Sequence, residues 1–207
     1  MQHIIDEVYK LSDGKACVAT DVGQHQMWAA QFYKNDSRYN WLSSGGAGTM
    51  GVGLPYCIGA AFGRPDDLNI CFVGDGGFQM TFFELATAAL HKLPIKIFVL
   101  NNHYLGMVRQ WQELFYEDRE SGVDLEGNPD FVKLAESFGI KGFNLRRPGD
   151  VKRVVQNALD YNEGPCLINC EVEKAENVFP MIPAGAAIEE MLIEPPTTKL
   201  EKPTGST

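Results

Sequence analysis

Two short segments of this 207-residue sequence combine groups suited to gripping an anion through a metal ion. Val73-Gly74-Asp75-Gly76-Gly77 sets one carboxylate among glycines, and Leu100-Asn101-Asn102 supplies side-chain amides. Glycine lets the backbone approach an anion closely, and successive N–H groups can meet phosphate oxygens. Asp75 and the side-chain carbonyl of Asn102 are hard oxygen donors of the kind magnesium accepts. Such an ion completes its shell with phosphate oxygens, a backbone carbonyl and water. Either segment alone reads as an ordinary turn. Together, at the ends of successive strands, they describe a magnesium-diphosphate clamp.

The elements that must position these groups are legible as alternating strand and helix patterns. Short apolar or β-branched runs at 16–20, 39–42, 70–73, 95–100, 141–144 and 166–172 alternate with helical spacing. That alternation predicts an open, mostly parallel six-stranded α/β sheet with helices on both faces. In such a sheet ligands bind beyond the carboxyl ends of the strands, where both segments lie. Thr81-Phe82-Phe83-Glu84 reads as a capping box opening a helix whose stripe is Phe82, Leu85, Ala86 and Ala89. Asn128-Pro129 reads as the cap of another helix, with Phe131, Leu134, Ala135 and Phe138 on one face and Gly139 at its end. A third helix is expected over 151–159. Five prolines between 180 and 203 interrupt any regular element. The division expected is therefore a domain at 1–176 and an arm at 177–207, with one short helix near 188–192 and a disordered end at 201–207.

Composition removes several classes of function. Apolar residues make up 44% and charged residues 22%, a balance that supports one packed core. The net charge of -9 comes without a clustered basic face, which argues against nucleic acid as partner. Five cysteines with no Cys-x-x-Cys give neither a disulfide framework nor a zinc site. Cys166 and Cys170 on one strand would lie about 13 Å apart, too far to bridge. The expectation is a reducing, cytoplasmic setting with no export signal and no membrane span.

The sequence resembles the thiamine-diphosphate enzymes, whose shared signature begins Gly-Asp-Gly and ends Asn-Asn about thirty residues later; Gly74 to Asn102 fits it. The match extends to Thr20-Asp21-Val22-Gly23-Gln24-His25-Gln26-Met27-Trp28-Ala29-Ala30-Gln31, Ser44-Gly45-Gly46-Ala47-Gly48-Thr49-Met50-Gly51, Leu105-Gly106-Met107-Val108-Arg109-Gln110-Trp111-Gln112 and Phe115-Tyr116. These segments are similar to the C-terminal third of the catalytic large subunit of acetohydroxyacid (acetolactate) synthases, over about residues 1–195.

That resemblance implies roles. Gln24 and His25, with the N–H groups of Gly76 and Gly77 beside Gly74, would bind the diphosphate. Asp75, Asn102 and the backbone carbonyl of Tyr104 would bind Mg2+. Met50, with Val22 nearby, would wedge beneath the cofactor, and the Gly48 carbonyl would hold its exocyclic amine. Met107 would pack beside the thiazolium, and Trp111 would shape the pocket for the second substrate. Each has a plainer competing role: His25 could cap a turn, Met50 and Met107 could fill the core, and Trp111 could pack a helix face. The implied reaction decarboxylates pyruvate and joins the product to a second 2-oxo acid, pyruvate or 2-oxobutyrate.

The resemblance also implies partners. A glutamate of a pyrimidine-binding domain would serve the aminopyrimidine ring, a middle domain would bind FAD, and the enzyme would be a homo-oligomer with a regulatory small subunit. Neither further domain is found before Met1, so the chain alone is expected to be inactive and to expose an apolar face around Met50, Met107 and the helix after Gly48. Another thiamine-dependent 2-oxo-acid decarboxylase or carboligase, and a non-catalytic thiamine-diphosphate-binding module, are the alternatives. Ala47, Tyr56-Cys57, Gly77 and Glu120 depart from the family pattern, and the departures bear on substrate preference and on the helix after Met50.

Overall fold

Residues that alternate along the central strands send side chains to opposite faces, and both faces of this sheet are covered. The computed structural model describes residues 1–35 and 37–195. In chain order it runs α1 (Gln2–Leu11), β1 (Cys17–Thr20), α2 (Gln24–Phe32), β2 (Trp41–Leu42), α3 (Gly53–Gly63), β3 (Asn69–Gly74), α4 (Asp75–Thr81), a 3₁₀ turn (Phe82–Glu84) and α5 (Leu85–Leu90). It continues with β4 (Lys96–Asn101), α6 (Gly106–Phe115), α7 (Phe131–Ser137), β5 (Lys141–Leu145), α8 (Val151–Asp160) and β6 (Cys166–Glu171). The strands form one sheet, order β2-β1-β3-β4-β6-β5, every neighbouring pair parallel. The expected six-stranded parallel α/β sheet is present.

The two cores follow from the pleat. Ile70 and Phe72 join Trp28, Tyr33, Val154 and Val155 on the face covered by α1, α2 and α8. Cys71 and Val73, one residue out of phase, join Leu54, Phe78, Leu85 and Phe131 on the face covered by α3, α4, α5 and α7. A strand buried on both faces needs continuous apolar sequence, and β3 and β4 have it. All five cysteines are free and buried. No helix among the described residues is long and apolar enough to cross a membrane.

Two helix starts differ from the sequence expectation. The helical segment after β3 begins at Asp75, six residues before the expected capping box. Thr81 caps nothing; its hydroxyl donates to the Gly51 carbonyl at 2.8 Å, and Glu84 accepts from the Thr87 hydroxyl at 3.2 Å. The stripe shifts with it, so that Leu85 and Ala88 are buried and Ala86 is exposed. Asp130, not Asn128, caps α7, its carboxylate accepting from Val132 and Lys133 N–H at 3.1 Å. The end of α7 is as expected, with Gly139 at φ +74°.

Over its described length the segment after β6 packs against the rest of the chain. Val178 and Met181 are buried, and Met181 pairs with Leu192 across an isolated bridge. The expected short helix is a 3₁₀ turn, Ile188–Glu190. The expected disordered end, 201–207, lies outside the described residues. Tyr56 and Phe62 on α3, Met80 on α4 and Phe83 in the 3₁₀ turn after it are exposed, whereas Met50 and Met107 are themselves half-buried.

Candidate functional site

A parallel sheet leaves a crevice where its strand order reverses, beyond the strands' carboxyl ends. Here the reversal lies between β1 and β3: the chain passes from β1 outward to β2, then back to β1's other side. The β1–α2 turn carries Val22, Gln24 and His25 into that crevice. The β3–α4 turn carries Gly74, Asp75, Gly76 and Gly77, and the end of β4 adds Asn102 and Tyr104. All of these, with Met50 and Met107, line one cleft. Of the residues singled out from the sequence, Gly48 and Trp111 do not. Gly48 lies exposed in the loop before α3 at φ +55°. Trp111 packs against Phe115 with ring centroids 5.0 Å apart and lines an adjoining groove with Tyr116. Met107 borders both spaces.

The charges in the cleft are few. Among the described residues Asp75 is its one carboxylate, and no lysine or arginine side chain lines it. Burial pushes the Asp75 carboxyl up to about 6, opposed by a hydrogen bond from Asn128, by neighbouring backbone N–H groups and by the charge of His103. Among the described residues no three His, Cys, Asp or Glu side chains converge as a metal cage. A magnesium ion at Asp75 would therefore draw most of its ligands from amide and main-chain oxygens and from its own anionic guest.

His25 fits an anion's oxygen. The ring is buried and hydrogen-bonded to the Asp21 backbone, while Nε2 has no partner. Burial lowers its pKa to about 4, with the Asp21 charge opposing. With one ring nitrogen donating to the Asp21 carbonyl, the Nε2 of the neutral ring carries no hydrogen and is an unpaired acceptor; it can donate to an anion's oxygen only once the ring takes up a proton, which a diphosphate beside it would favour. The Gly76 and Gly77 N–H groups lie in the first turn of α4, where no main-chain carbonyl of the helix can accept them, and Gly76 N–H also faces the Asp75 carboxylate. The same burial makes stability pH-dependent. Between about pH 6.5 and 4 the unfolded chain takes up a proton that folded His25 refuses, so stability falls on acidification. Relative to His25→Gln, the parent chain should lose roughly 2 to 3 kcal/mol of stability over that range. Urea titrations at pH 4.5 and 7 check it; a difference that does not change with pH would contradict it.

Gln24 is placed differently from its implied role. Its amide N–H groups are both occupied, donating to Gln110 Oε1 and to the Glu176 carbonyl at 2.8 Å each. Gln110 in turn donates to the Val178 carbonyl at 3.0 Å and accepts from Val178 N–H at 2.8 Å. Gln24 thus ties the cleft wall to α6 and to the segment after β6, with no N–H left over for a phosphate. Asn102 has its side-chain oxygen 3.2 Å from Tyr104 N–H, a bond that turns the chain sharply after β4.

Sequence reasoning assigned no role to Asp21, a fully buried carboxylate at the end of β1. Its Oδ1 accepts from Val22 N–H at 2.7 Å and Gly51 N–H at 3.0 Å, and its Oδ2 accepts from Gly53 N–H at 3.0 Å. It therefore anchors the loop that presents Met50. Gly51 sits at φ +89°, and a Cβ on Gly53 would lie 2.7 Å from Asp21 N, so both glycines are demanded by that anchor. Gly77, one of the departures from the family pattern, belongs to the same cluster: a Cβ there would lie 2.5 Å from Asp21 Oδ1. Asp21→Ala strands three N–H groups and is expected to cost about 3 kcal/mol or more. Denaturant unfolding checks it, and a loss below about 1 kcal/mol would contradict it.

Comparison with known proteins bears on this cleft directly. Residues 21–170 match the family described as thiamine pyrophosphate enzyme, C-terminal TPP binding domain. The acetolactate synthase large subunit of Cyanidium caldarium is 48% identical over 192 residues, which is 92% of this chain and 32% of that protein. The acetolactate synthase isozyme 2 large subunit of Escherichia coli is 46% identical over 88% of this chain and 34% of its own length. Acetolactate synthase 2, chloroplastic, of Nicotiana tabacum is 43% identical over 93% of this chain and 30% of its own. The chain spans about a third of the length of these relatives.

Proposed function

This chain belongs to the thiamine pyrophosphate enzymes, as their C-terminal cofactor-binding domain, and on that premise we propose that it is the thiamine-diphosphate- and magnesium-binding part of an acetolactate synthase. The observation that carries the reading is the composition of the cleft among the described residues: one carboxylate, Asp75, beside the unpartnered Nε2 of buried His25, with no lysine or arginine side chain. A diphosphate can occupy such a place only with a divalent cation, and the donors beside Asp75 are the hard oxygens magnesium takes.

The residues divide the work by chemistry. Asp75, Asn102 and the Tyr104 carbonyl would hold Mg2+. His25, protonated at Nε2 beside the anion, and the Gly76 and Gly77 N–H groups would hold the diphosphate. Met50 and Val22 would support the cofactor's rings from one side and Met107 from another, both methionines half-buried and lining the cleft. Thiamine diphosphate supplies, when bound, the electron sink that decarboxylation of a 2-oxo acid requires, and the protein contributes orientation and exclusion of water. Pyruvate would be decarboxylated and joined to a second pyruvate or to 2-oxobutyrate, with Trp111 and the groove it lines beside Met107 meeting the second substrate. Five free, buried cysteines suit a reducing, cytoplasm-like compartment.

The test is calorimetric titration of thiamine diphosphate into the chain with and without magnesium. Binding only in the presence of the ion is expected. Absence of binding under both conditions would overturn the reading.

A further inference from the structure

The loop between α6 and α7 crosses back over the end of β4. Leu105 N–H donates to the Val123 carbonyl and Leu125 N–H to the His103 carbonyl, each at 2.8 Å, forming an antiparallel bridge between Tyr104 and Asp124. This strap uses the His103 carbonyl and the Leu105 N–H and leaves the Tyr104 carbonyl outside both bonds. Three residues farther on, Asn128 reaches Asp75: its Nδ2 donates to Asp75 Oδ2 at 2.7 Å and to Asn101 Oδ1 at 3.2 Å. Its own side-chain carbonyl accepts from Gln79 Nε2 at 2.9 Å.

These partners fix which way the amide faces. Turned over, Asn128 would set its oxygen against the Asp75 carboxylate and Asn101 Oδ1 and its NH₂ against the Gln79 NH₂, replacing three hydrogen bonds with repulsive contacts. Asn128 is also the one side chain hydrogen-bonded to the Asp75 carboxylate among the described residues, and its bond is charge-assisted, the stronger kind. Oδ1 is left with no side-chain partner.

We propose that Asn128 is a positioning residue for the metal half of the site: its amide holds Asp75 Oδ2 so that Oδ1 stays available to magnesium. The strap it belongs to sets the Asn102–Tyr104 turn from the other side. The sequence places Asn128 twenty-six residues beyond Asn102, outside the signature that spans Gly74 to Asn102. Ligands held by such second partners typically lose ten- to a hundredfold in metal affinity when the partner is removed.

The inference rests on the cofactor-binding reading, and the experiment separates the two. With the full chain and excess thiamine diphosphate, magnesium is titrated calorimetrically, and thiamine diphosphate is then titrated at saturating magnesium. Asn128→Ala is expected to raise the half-saturating magnesium concentration about tenfold, while cofactor affinity at saturating magnesium stays within about threefold of the parent's. Gln79→Ala, at a half-buried position on α4, removes the bond that orients Asn128 together with a longer bond from Gln79 Nε2 to the Asp75 carbonyl at 3.3 Å, leaves the Asn128–Asp75 bond in place, and is expected to give a smaller shift in the same direction. It keeps the idea testable if Asn128→Ala does not fold. A merely structural Asn128 would lower the denaturation midpoint and leave the magnesium requirement unchanged, and that result would overturn the proposal. No binding by the unsubstituted chain would overturn the cofactor-binding reading and this inference with it.

Discussion

These 207 residues, saturated with thiamine diphosphate and magnesium, are expected to form no acetolactate from pyruvate. A group that moves a proton must lie within hydrogen-bond reach of the atom it serves, and the cleft lining carries one carboxylate, which the metal would engage. The other candidates are occupied elsewhere. Glu84 accepts from Thr87, Glu113 pairs with Arg109 at 2.6 Å, and Glu171 pairs with His103 at 3.0 Å. The resemblance to acetolactate synthases implies that the missing carboxylate is a glutamate of a pyrimidine-binding domain. Supplying the remaining two thirds of such a large subunit as a separate polypeptide should therefore restore turnover. Loss of one acid-base group typically costs 10²–10⁴-fold, so a colorimetric acetolactate assay separates the two states cleanly. Steady product formation by these residues alone would mean that the acid-base group lies within them.

Asp75→Ala is expected to abolish binding of thiamine diphosphate at any attainable magnesium concentration. The substitution removes the one anionic ligand that the described residues of the cleft offer the ion, and none of them is a lysine or arginine that could neutralise the diphosphate instead. It also leaves the Asn128 amide without its carboxylate partner. The fold should persist, because Asp75 heads α4 without capping it, and relief of a buried charge offsets part of the lost hydrogen bonding. Circular dichroism should match the parent's while calorimetry shows no cofactor heat. Binding within tenfold of the parent's affinity would place the metal elsewhere.

The sheet was legible because its strands are short, apolar and spaced by helical patterns, and β3 and β4 are so enclosed that their sequences need no polar face. The cleft was legible because strand ends and metal-type oxygens coincide at Asp75 and Asn102. Misreadings occurred where a local pattern was satisfied by a distant partner. Thr81 resembles a cap, yet its hydroxyl serves Gly51, thirty residues back. Asn128-Pro129 resembles a helix start, yet the amide is drawn to Asp75, fifty-three residues back, and Asp130 makes the cap. Gln24 suits a phosphate contact by its place beside His25, but Gln110 and the Glu176 carbonyl take its N–H groups. Asp21 has no sequence signal beyond a carboxylate at a strand end, because the loop it anchors arrives from thirty residues downstream. Gly77, a departure when read alone, is explained once Asp21 is seen against it.

The most direct test of the central claim is calorimetric titration of thiamine diphosphate into this chain, once with magnesium in excess and once with EDTA in excess. The cleft as described predicts saturable binding in the first and none in the second. Equal affinity in both would contradict a metal-bridged diphosphate site at Asp75 and Asn102.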